Sequence, residues 1–198
     1  MQPTQSATLP IGTDRQLFVD DLVIDHLDGA HLQLHSPAPR EIALRLDRPW
    51  EGTTSWCPIV FRDRDRYRMW YRSQQEGRHC FTGYAESADG IHWERPPLEQ
   101  TTFEGSRDNN ICIDHSDIKN VAVFRDDNAN APDEARYKAV GRSASGRPAR
   151  INAMVSADGV HWRPAQDGPL ITAPEDDPQF DSPLSAFWDA RRQCYAIL

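Results

Sequence analysis

The heptapeptide Ser-Ala-Asp-Gly-Ile-His-Trp occupies residues 87–93 and returns sixty-nine residues later as Ser-Ala-Asp-Gly-Val-His-Trp at residues 156–162. Six of the seven positions are identical, and the seventh exchanges one β-branched residue for another. A second repeat has a period of sixty-three residues, because Phe61, Phe124 and Phe187 are each followed two positions later by an aspartate. Two repeats of similar period predict a chain built from recurring structural units.

The local pattern of each unit predicts strands. Residues 58–61 and 121–124 are short apolar runs rich in β-branched and aromatic residues, and each is followed by a second strand that contains a tyrosine. Residues 81–87 predict a third strand, and residues 91–94 predict a fourth after the Asp-Gly hairpin turn. Fifteen prolines and the lack of an apolar stripe of helical period argue against long helices. The predicted fold class is all-β, with four-stranded units as blades of a β-propeller.

The repeats also predict a domain organisation. We expect a flexible tail at 1–16 and an incomplete propeller domain at 17–198, made of an N-terminal strand segment (17–50), blade one (about 51–98), blade two (about 109–170) and a partial blade three (about 180–198). This is about two and a half blades, whereas a five-bladed ring of this repeat length needs roughly three hundred residues or more. The chain is therefore expected to be a fragment that lacks C-terminal blades of the same propeller, and to be poorly stable and inactive alone.

Composition limits the classes of function. The 198 residues are 38% hydrophobic and 26% charged, which is typical of a soluble globular protein. A net charge of −8 argues against a nucleic-acid partner. No membrane segment and no export signal are visible, so a cytoplasmic location is the default expectation. The four cysteines are widely spaced, which argues against a metal knuckle or a redox pair and favours free thiols over disulfides.

Several motifs carry a resemblance to a known family. In order, they are Leu-Phe-Val-Asp-Asp-Leu-Val-Ile at 17–24, Arg-Pro-Trp-Glu-Gly at 48–52, Tyr-Arg-Met-Trp-Tyr-Arg at 67–72, Tyr-Ala-Glu-Ser at 84–87, Asn-Asn-Ile at 109–111, Arg-Tyr-Lys at 136–138, Phe-Asp-Ser at 180–182 and Phe-Trp-Asp at 187–189. From residue 17 to the end, the chain resembles bacterial proteins related to glycoside hydrolase families 32 and 43. The resemblance implies a five-bladed propeller that acts on or binds a carbohydrate.

The repeated heptapeptide is similar to the Asp-box of sialidases, and its chemistry predicts a structural turn. The Ser and Asp side chains can bond to the turn backbone, Gly allows the turn geometry, and Trp packs between sheets. We therefore assign Asp89 and Asp158 structural roles, and we expect no proton transfer by His92 or His161. The aspartates that follow the three repeated phenylalanines are interpreted as turn formers; they are Asp63, Asp126 and Asp189.

Glycoside cleavage needs two carboxylates, one to protonate the leaving oxygen and one to attack the anomeric carbon or activate water. In the fold that the resemblance implies, such groups lie on the segments that lead into the first strand of each blade. These segments supply Asp181, Asp117 and Glu51 as candidate catalytic residues. Alignment on the shared phenylalanine places Asp181 opposite Ile118 and Ser55, so it is not a repeated structural residue. The alternative for Asp181 is a structural role as the cap of a turn.

The same segments supply amide, amine and aromatic groups that suit sugar hydroxyls and pyranose faces. The candidate substrate-binding residues are Trp50, Trp56, Asn109, Asn110, Lys119 and Asn120. For a single tryptophan, packing between blades is the alternative. No cofactor is expected, and no metal site either, because the acidic linker at 126–130 lacks the Gly and Glu that a calcium loop requires.

Two functions remain open from the sequence. The first is a glycoside hydrolase-like protein that uses paired carboxylates at the central channel. The alternative is a non-catalytic carbohydrate-binding or structural propeller, because fold alone does not decide chemistry.

Overall fold

The computed structural model describes residues 9–13, 16–74, 79–114, 118–143, 146, 148–174, 180 and 184–198. The chain divides into two units, Met1–Glu41 and Ile42–Leu198. The described part of the first unit contains turns and extended backbone but no strand or helix. All the strands lie in the second unit. Within the described ranges, no helix has the length and apolar character needed to cross a membrane.

The second unit consists of successive antiparallel sheets. The first blade has the strand order β1-β2-β3-β4, with β1 at Trp56–Asp63, β2 at Arg66–Gln74, β3 at Cys80–Ser87 and β4 at Ile111–Asp114. The second blade contains β5 (Ile118–Arg125), β6 (Tyr137–Ser143), β7 (Arg150–Ser156), β8 (Arg163–Pro164) and β9 (Ile171–Thr172). A third sheet pairs β10 (Ala186–Asp189) with β11 (Cys194–Ile197). A short 3-10 turn at Asp133–Ala135 precedes β6. The predicted all-β class is confirmed.

The outer strand of the first blade differs from the sequence prediction. Residues 91–94 were expected to form it, but only Glu94 pairs there, through an isolated bridge to Glu86. Pro96 and Pro97 follow at once and cannot donate ladder hydrogen bonds, which explains why pairing stops. The chain leaves the sheet and returns as β4, so the first blade extends beyond the boundary expected near residue 98. In the second blade, β8 and β9 likewise pair with β7 at separate places.

The first strands of both complete blades carry the same irregularity. The pairing of β1 with β2 shifts between residues 56 and 59, and that of β5 with β6 shifts between residues 119 and 122. Cys57 and Asn120 lie inside these bulges and have positive φ angles of 53° and 52°. Positive φ is uncommon for residues other than glycine. The two residues are sixty-three positions apart, so the repeat extends to backbone conformation.

The repeated phenylalanines occupy equivalent register positions but differ in exposure. Each pairs with the residue that follows the repeated tyrosine of the second strand, so that Phe61 lies opposite Arg68, Phe124 opposite Lys138 and Phe187 opposite Ala196. Phe61 stacks on Trp70 at 5.0 Å, and Phe124 lies 6.5 Å from the Tyr195 ring. Phe187 is 41% exposed. The repeat predicts that the three phenylalanines are buried at equivalent places in successive blades, but Phe61 and Phe124 are only partly buried and Phe187 is exposed, so the prediction is wrong for Phe187 and met only in part by the other two.

The hydrophobic core lies between successive blades. One cluster joins the first blade to the second and contains Trp70, Tyr84, Cys112, Ile113, Ile118, Val121, Val123 and Ala139. Another includes Ala122, Val140 and Ile151 of the second blade, with Leu184, Ala186 and Ile197 packed against them. The second blade thus buries both faces, which explains the unbroken apolar run of its first strand.

A buried carboxylate links the first two blades. Asp63 is 6% exposed and lies at the end of β1. Its Oδ2 accepts hydrogen bonds from Nη1 of Arg68 in the same blade (3.2 Å) and from the hydroxyl of Tyr137 in the second blade. The Arg68 guanidinium lies 5.1 Å from the centre of the Tyr137 ring. Burial, and next the hydrogen bond to Asp63, raise the pKa of Tyr137. We call this arrangement the carboxylate–tyrosine contact.

The contact recurs one repeat later. Asp126 is 1% exposed and accepts hydrogen bonds from the Lys138 ammonium of its own blade and from the Tyr195 hydroxyl of the third sheet (2.7 Å). Burial alone would raise the pKa of Asp126, but Lys138 and Tyr195 lower it below its usual value. The interpretation of Asp63 as a turn former is corrected, since its carboxylate reaches the next blade. Asp126 does both, because it also accepts from the Asn128 N–H at 2.9 Å.

Asp189 behaves as the sequence predicts. Its Oδ1 accepts hydrogen bonds from the backbone N–H groups of Arg191 (2.9 Å) and Arg192 (3.0 Å). This is the pattern of an aspartate that closes a turn.

The Ser and Asp side chains of the two heptapeptide turns form the same hydrogen bonds, but Trp93 Nε1 donates to the Gly90 carbonyl at 3.1 Å whereas Trp162 Nε1 has no acceptor among the described residues. In the second copy, Asp158 Oδ1 accepts from the N–H groups of Val160 and His161, both at 2.8 Å, and Ser156 Oγ accepts from Gly159 N–H at 2.9 Å. The first copy repeats these bonds through Ser87 and Asp89. The second turn also packs on the first blade, because Trp70 Nε1 donates to the Gly159 carbonyl at 2.8 Å.

Replacement of Tyr137 tests the carboxylate–tyrosine contact. Tyr137→Phe leaves the buried Asp63 carboxylate short of one donor, and we expect the free energy of unfolding to fall by about 2 kcal/mol. Urea denaturation measures the change. The control is Tyr67→Phe, the same repeat position in the first blade, whose hydroxyl has no hydrogen-bond partner among the described residues. An equal loss in both variants would contradict the proposed importance of the contact.

The turn aspartate gives a stability change that depends on pH. Burial alone would raise the pKa of Asp158, but hydrogen bonds from the His161 backbone and imidazole and from the Val160 N–H lower it to about 2. The unfolded value is about 3.9, so this stabilisation is present above pH 4 and lost as pH falls towards 2. We expect Asp158→Ala to cost about 1 kcal/mol at pH 6, since half of the side chain is exposed, and less at pH 3.

Urea denaturation at the two pH values measures this change. The control is Asp167→Ala, an exposed aspartate of the same blade that makes no hydrogen bond with a described residue. A cost for Asp158→Ala that stays constant between pH 6 and pH 3 would contradict the assignment.

Candidate functional site

The structure divides the candidate site residues into two described groups. Glu51, Trp50 and Asn110 are joined through the Tyr71 hydroxyl in a largely buried network beside β2 and β3, and the buried Asn109 adjoins Asn110 in the chain. Trp56, Lys119 and Asn120 lie at the beginnings of β1 and β5. Asp117 and Asp181 fall outside the described residues, so their positions stay predictions.

The Glu51 carboxylate is fully buried and surrounded by donors. Its Oε1 accepts from the Tyr71 hydroxyl at 2.5 Å and lies 2.9 Å from Nε of Arg95. Its Oε2 accepts from the Arg48 N–H at 2.9 Å. Burial, and then the negative charge of Glu51, raise the pKa of Tyr71 well above its ordinary value. Both carboxylate oxygens are thus occupied by groups that hold the segment leading into β1.

Asn110 extends this network. Its Nδ2 donates to the Tyr71 hydroxyl at 2.7 Å and to the Tyr84 carbonyl at 2.6 Å, and its Oδ1 accepts from Trp50 Nε1 at 2.7 Å. Asn109 donates to the Thr101 carbonyl at 2.8 Å, and its side-chain oxygen accepts from the backbone N–H of residue 111. These two side-chain amides hold in place the loop that connects Glu94 to β4. A cavity of about 140 Å³ adjoins them, lined by Arg48, Trp50, Arg95, Pro97, Asp108, Asn109 and Asn110.

Gly83 makes room for the network. It lies opposite Tyr71 in the register of β2 and β3, and a Cβ atom on it would lie 2.7 Å from the Tyr71 ring. In the second blade the corresponding pair is Gly141 and Asn152, so the large and small partners are exchanged. A Cβ on Gly141 would lie 2.6 Å from the Lys119 carbonyl. The Glu51 network is therefore specific to the first blade.

The second group lies on what we call the strand-start edge, the end of the two complete blades marked by Trp56, Arg72, Lys119 and Arg142. Trp56 is exposed, and the Arg72 guanidinium lies 5.3 Å from the centre of its ring. Lys119 and Arg142 are cross-strand partners. Trp56 and Lys119 occupy the same repeat position, sixty-three residues apart. An exposed tryptophan supported by a cation and polar neighbours can stack on a sugar ring.

Neither Arg72 nor Arg142 is among the candidate site residues that the sequence suggests. The two arginines are seventy residues apart. Arg72 is the cross-strand partner of Trp56, and Arg142 is the cross-strand partner of Lys119. Extension of the repeat to the second strands would have identified the pair. Within the described ranges Arg142 forms no ion pair, whereas Glu86, also on an interior strand, pairs with Arg66 of its own blade at 2.6 Å.

A larger cavity, of about 280 Å³, lies at the opposite end of the first blade. Its lining residues include Asp65, Arg66, Glu86, Asp89, His92 and Glu94. These side chains come from the β1–β2 turn, the adjoining ends of β2 and β3, the first heptapeptide turn and the residue that follows it. Arg66 pairs with Asp65 and Glu86, and His92 Nδ1 lies 2.7 Å from the Asp89 carboxylate.

Comparisons with known proteins support the fold. A fructofuranosidase of Schwanniomyces occidentalis in complex with fructose is similar, with 16% identity, a TM-score of 0.53 and coverage of 71% of this chain and 28% of that chain. A substituted form of the enzyme with fructosylnystose gives 16% identity, a TM-score of 0.53 and coverage of 82% and 33%. This likeness shows the fold alone and confirms the predicted β-propeller blades.

Two uncharacterised proteins of Mycobacterium tuberculosis are related in sequence. They are 30% and 29% identical over 113 residues, which is 54% of this chain and 32% of each relative. The match thus spans about a third of the length of these curated relatives. No family model matches the chain.

Substitution of Glu51 tests the buried network. Glu51→Gln keeps the shape but removes the charge that compensates the nearly buried Arg95, and we expect the free energy of unfolding to fall by about 3 kcal/mol. Chemical denaturation measures the loss. The control is Asp47→Asn, because the Asp47 carboxylate lies 3.6 Å from the same guanidinium but is largely exposed. Its replacement should cost less than about 0.5 kcal/mol. Similar losses in the two variants would show that the buried charge of Glu51 has no special role.

Proposed function

We propose that the chain is part of a carbohydrate-active β-propeller that binds a sugar at the strand-start edge. The observation that carries this proposal is the exposed Trp56, which is the first residue of β1 and is stacked with Arg72. An exposed aromatic side chain lacks the favourable free energy that burial would provide. A ligand that covers the ring supplies this free energy on binding. The fold likeness to fructofuranosidases supports the choice of carbohydrate as ligand.

The repeat strengthens this interpretation. A residue that only builds the scaffold is expected to recur, as the carboxylate of the carboxylate–tyrosine contact does at Asp63 and Asp126. The position of Trp56 is instead Lys119 in the second blade, and the sequence repeat puts Ser182 there in the third. This variation favours ligand contact over packing. Asn120, beside Lys119, adopts positive φ in the bulge, and bulges often redirect side chains next to active sites.

We extend the proposal to glycoside cleavage by Asp181 and Asp117, with one carboxyl group protonating the leaving oxygen and the other attacking the anomeric carbon or activating water. Asp117 immediately precedes β5, and Asp181 precedes β10 by five residues. For Glu51 we propose a positioning role, since both of its oxygens accept internal hydrogen bonds. Trp50, Asn109 and Asn110 support the same lead-in segment. The proposed ring is five-bladed, and further blades of the same kind are its partners.

A non-catalytic carbohydrate-binding propeller is the second candidate. The engagement of Glu51, Asn109 and Asn110 in internal bonds favours it, because these groups are not free to take part in chemistry. The two functions differ in one measurable property, since only the hydrolase requires the carboxyl groups of Asp117 and Asp181, one as acid and the other as nucleophile or base.

Binding and hydrolysis assays with a panel of neutral and anionic oligosaccharides test the proposal. We expect Trp56→Ala to weaken sugar binding by about tenfold through loss of stacking. The control is Ile91→Ala, since Ile91 at the opposite end of the blade is 42% exposed and Trp56 is 41% exposed. In the complete propeller, Asp181→Asn and Asp117→Asn should abolish hydrolysis while binding remains. Binding that is unchanged in Trp56→Ala, or that falls equally in the control, would contradict the site.

A further inference from the structure

Two cations face each other at the start of the second blade. Lys119 and Arg142 are direct cross-strand partners, so their side chains lie on the same face of the sheet. Both are only partly exposed. Like charges in this arrangement destabilise a sheet. No carboxylate of the described residues forms an ion pair with either side chain, so the charge of this pair is not compensated there.

A third cation belongs to the same edge. Arg72 holds in the first blade the place that Arg142 holds in the second. The Nε atoms of both arginines are buried, and within the described part of the chain neither has a hydrogen-bond acceptor. An unsatisfied guanidinium donor is costly, and an anion that pairs with the outer Nη atoms would offset part of this cost. One of these atoms, Nη2 of Arg72, already donates to Gln74 Oε1.

Strand β3 of the first blade packs against β5 of the second, so Cys80 on β3 lies near cations of both blades. Burial raises the pKa of Cys80, while the positive charges of Arg72 and Lys119 both act in the opposite direction. The pKa of this thiol on β3 is therefore affected by one cation from each blade. The nearby acid Asp114 already pairs with His79 at the end of the same sheet.

We propose that Arg72, Lys119 and Arg142 bind an anionic group of the carbohydrate, either the carboxylate of a uronic acid or a sulfate ester. The inference rests on the proposed function, because it concerns the same strand-start edge. Trp56 stacks on a sugar ring while the cations receive its charged substituent. Guanidinium groups suit carboxylate and sulfate because their donors are arranged in a planar fork. The site thus selects charged saccharides over neutral ones.

Calorimetric titration of the purified chain tests the inference with three ligands: a uronate trisaccharide, a sulfated disaccharide and a neutral fructan trisaccharide. We expect at least one charged ligand to bind about tenfold more tightly than the neutral one. The tighter charged ligand identifies carboxylate or sulfate as the group recognised. This preference should shrink between 50 and 500 mM salt, since added ions screen partly exposed charges.

Charge removal supplies the residue-level test. Lys119→Gln and Arg142→Gln should each weaken binding of the charged ligand by about tenfold and leave neutral binding within about twofold. Arg163→Gln, on the exposed strand β8, is the matched control and should change neither. Near-ultraviolet circular dichroism verifies that each variant is folded, and the two substitutions lie on different strands, so one folded variant is sufficient.

The outcomes separate the inference from the proposed function. If the neutral ligand binds through Trp56 and the charged ligands bind no more tightly, the inference is overturned and the proposed function stands. If charged ligands bind but neither Lys119→Gln nor Arg142→Gln has an effect, the inference is again overturned. If no saccharide binds, the proposed function fails and the inference fails with it.

Discussion

The carboxylate–tyrosine contact is the constraint on which the arrangement of the blades depends. Asp63 and Asp126 are buried at the ends of their strands, and each reaches a tyrosine hydroxyl in the following blade. A buried carboxylate needs charge compensation and donors, so the cation of its own blade and the tyrosine of the next must both be in place. The contact therefore fixes the position of neighbouring blades more specifically than apolar packing between them, because packing tolerates small shifts and a hydrogen-bonded charge does not.

This fixed scaffold leaves the strand-start edge able to vary. The bulges at Cys57 and Asn120 are the same in both complete blades, but the residues before them are Trp56 and Lys119. The first blade contains a buried network of Tyr71 and Glu51. In the second blade Gly141 occupies the position of Tyr71, so the network is not repeated. Repetition at one end and variation at the other is the pattern expected when a repeat protein keeps its packing and specialises its ligand contacts.

Local signals in the sequence predicted the repeat, the strands and the turn hydrogen bonds, because these depend on residues close together in the chain. The outer strand was misassigned, since Pro96 and Pro97 interrupt a pairing that the turn appeared to begin, and the replacement strand comes after a long excursion. The sequence showed both members of the carboxylate–tyrosine contact, yet Asp63 and Tyr137 are seventy-four residues apart and their pairing depends on blade packing. For the same reason, sequence alone could not reveal that Glu51 is buried or that Arg142 has no acidic partner in the part of the chain that the structure describes.

A crystal structure of the chain with a bound uronate oligosaccharide tests the central claim most directly, because it locates the ligand without reliance on substitutions. The account predicts a sugar ring against the Trp56 indole, with its carboxylate within hydrogen-bonding distance of Lys119 or Arg142. A saccharide in the 140 Å³ cavity beside Trp50, or in the 280 Å³ cavity beside His92, with the strand-start edge empty, would contradict it.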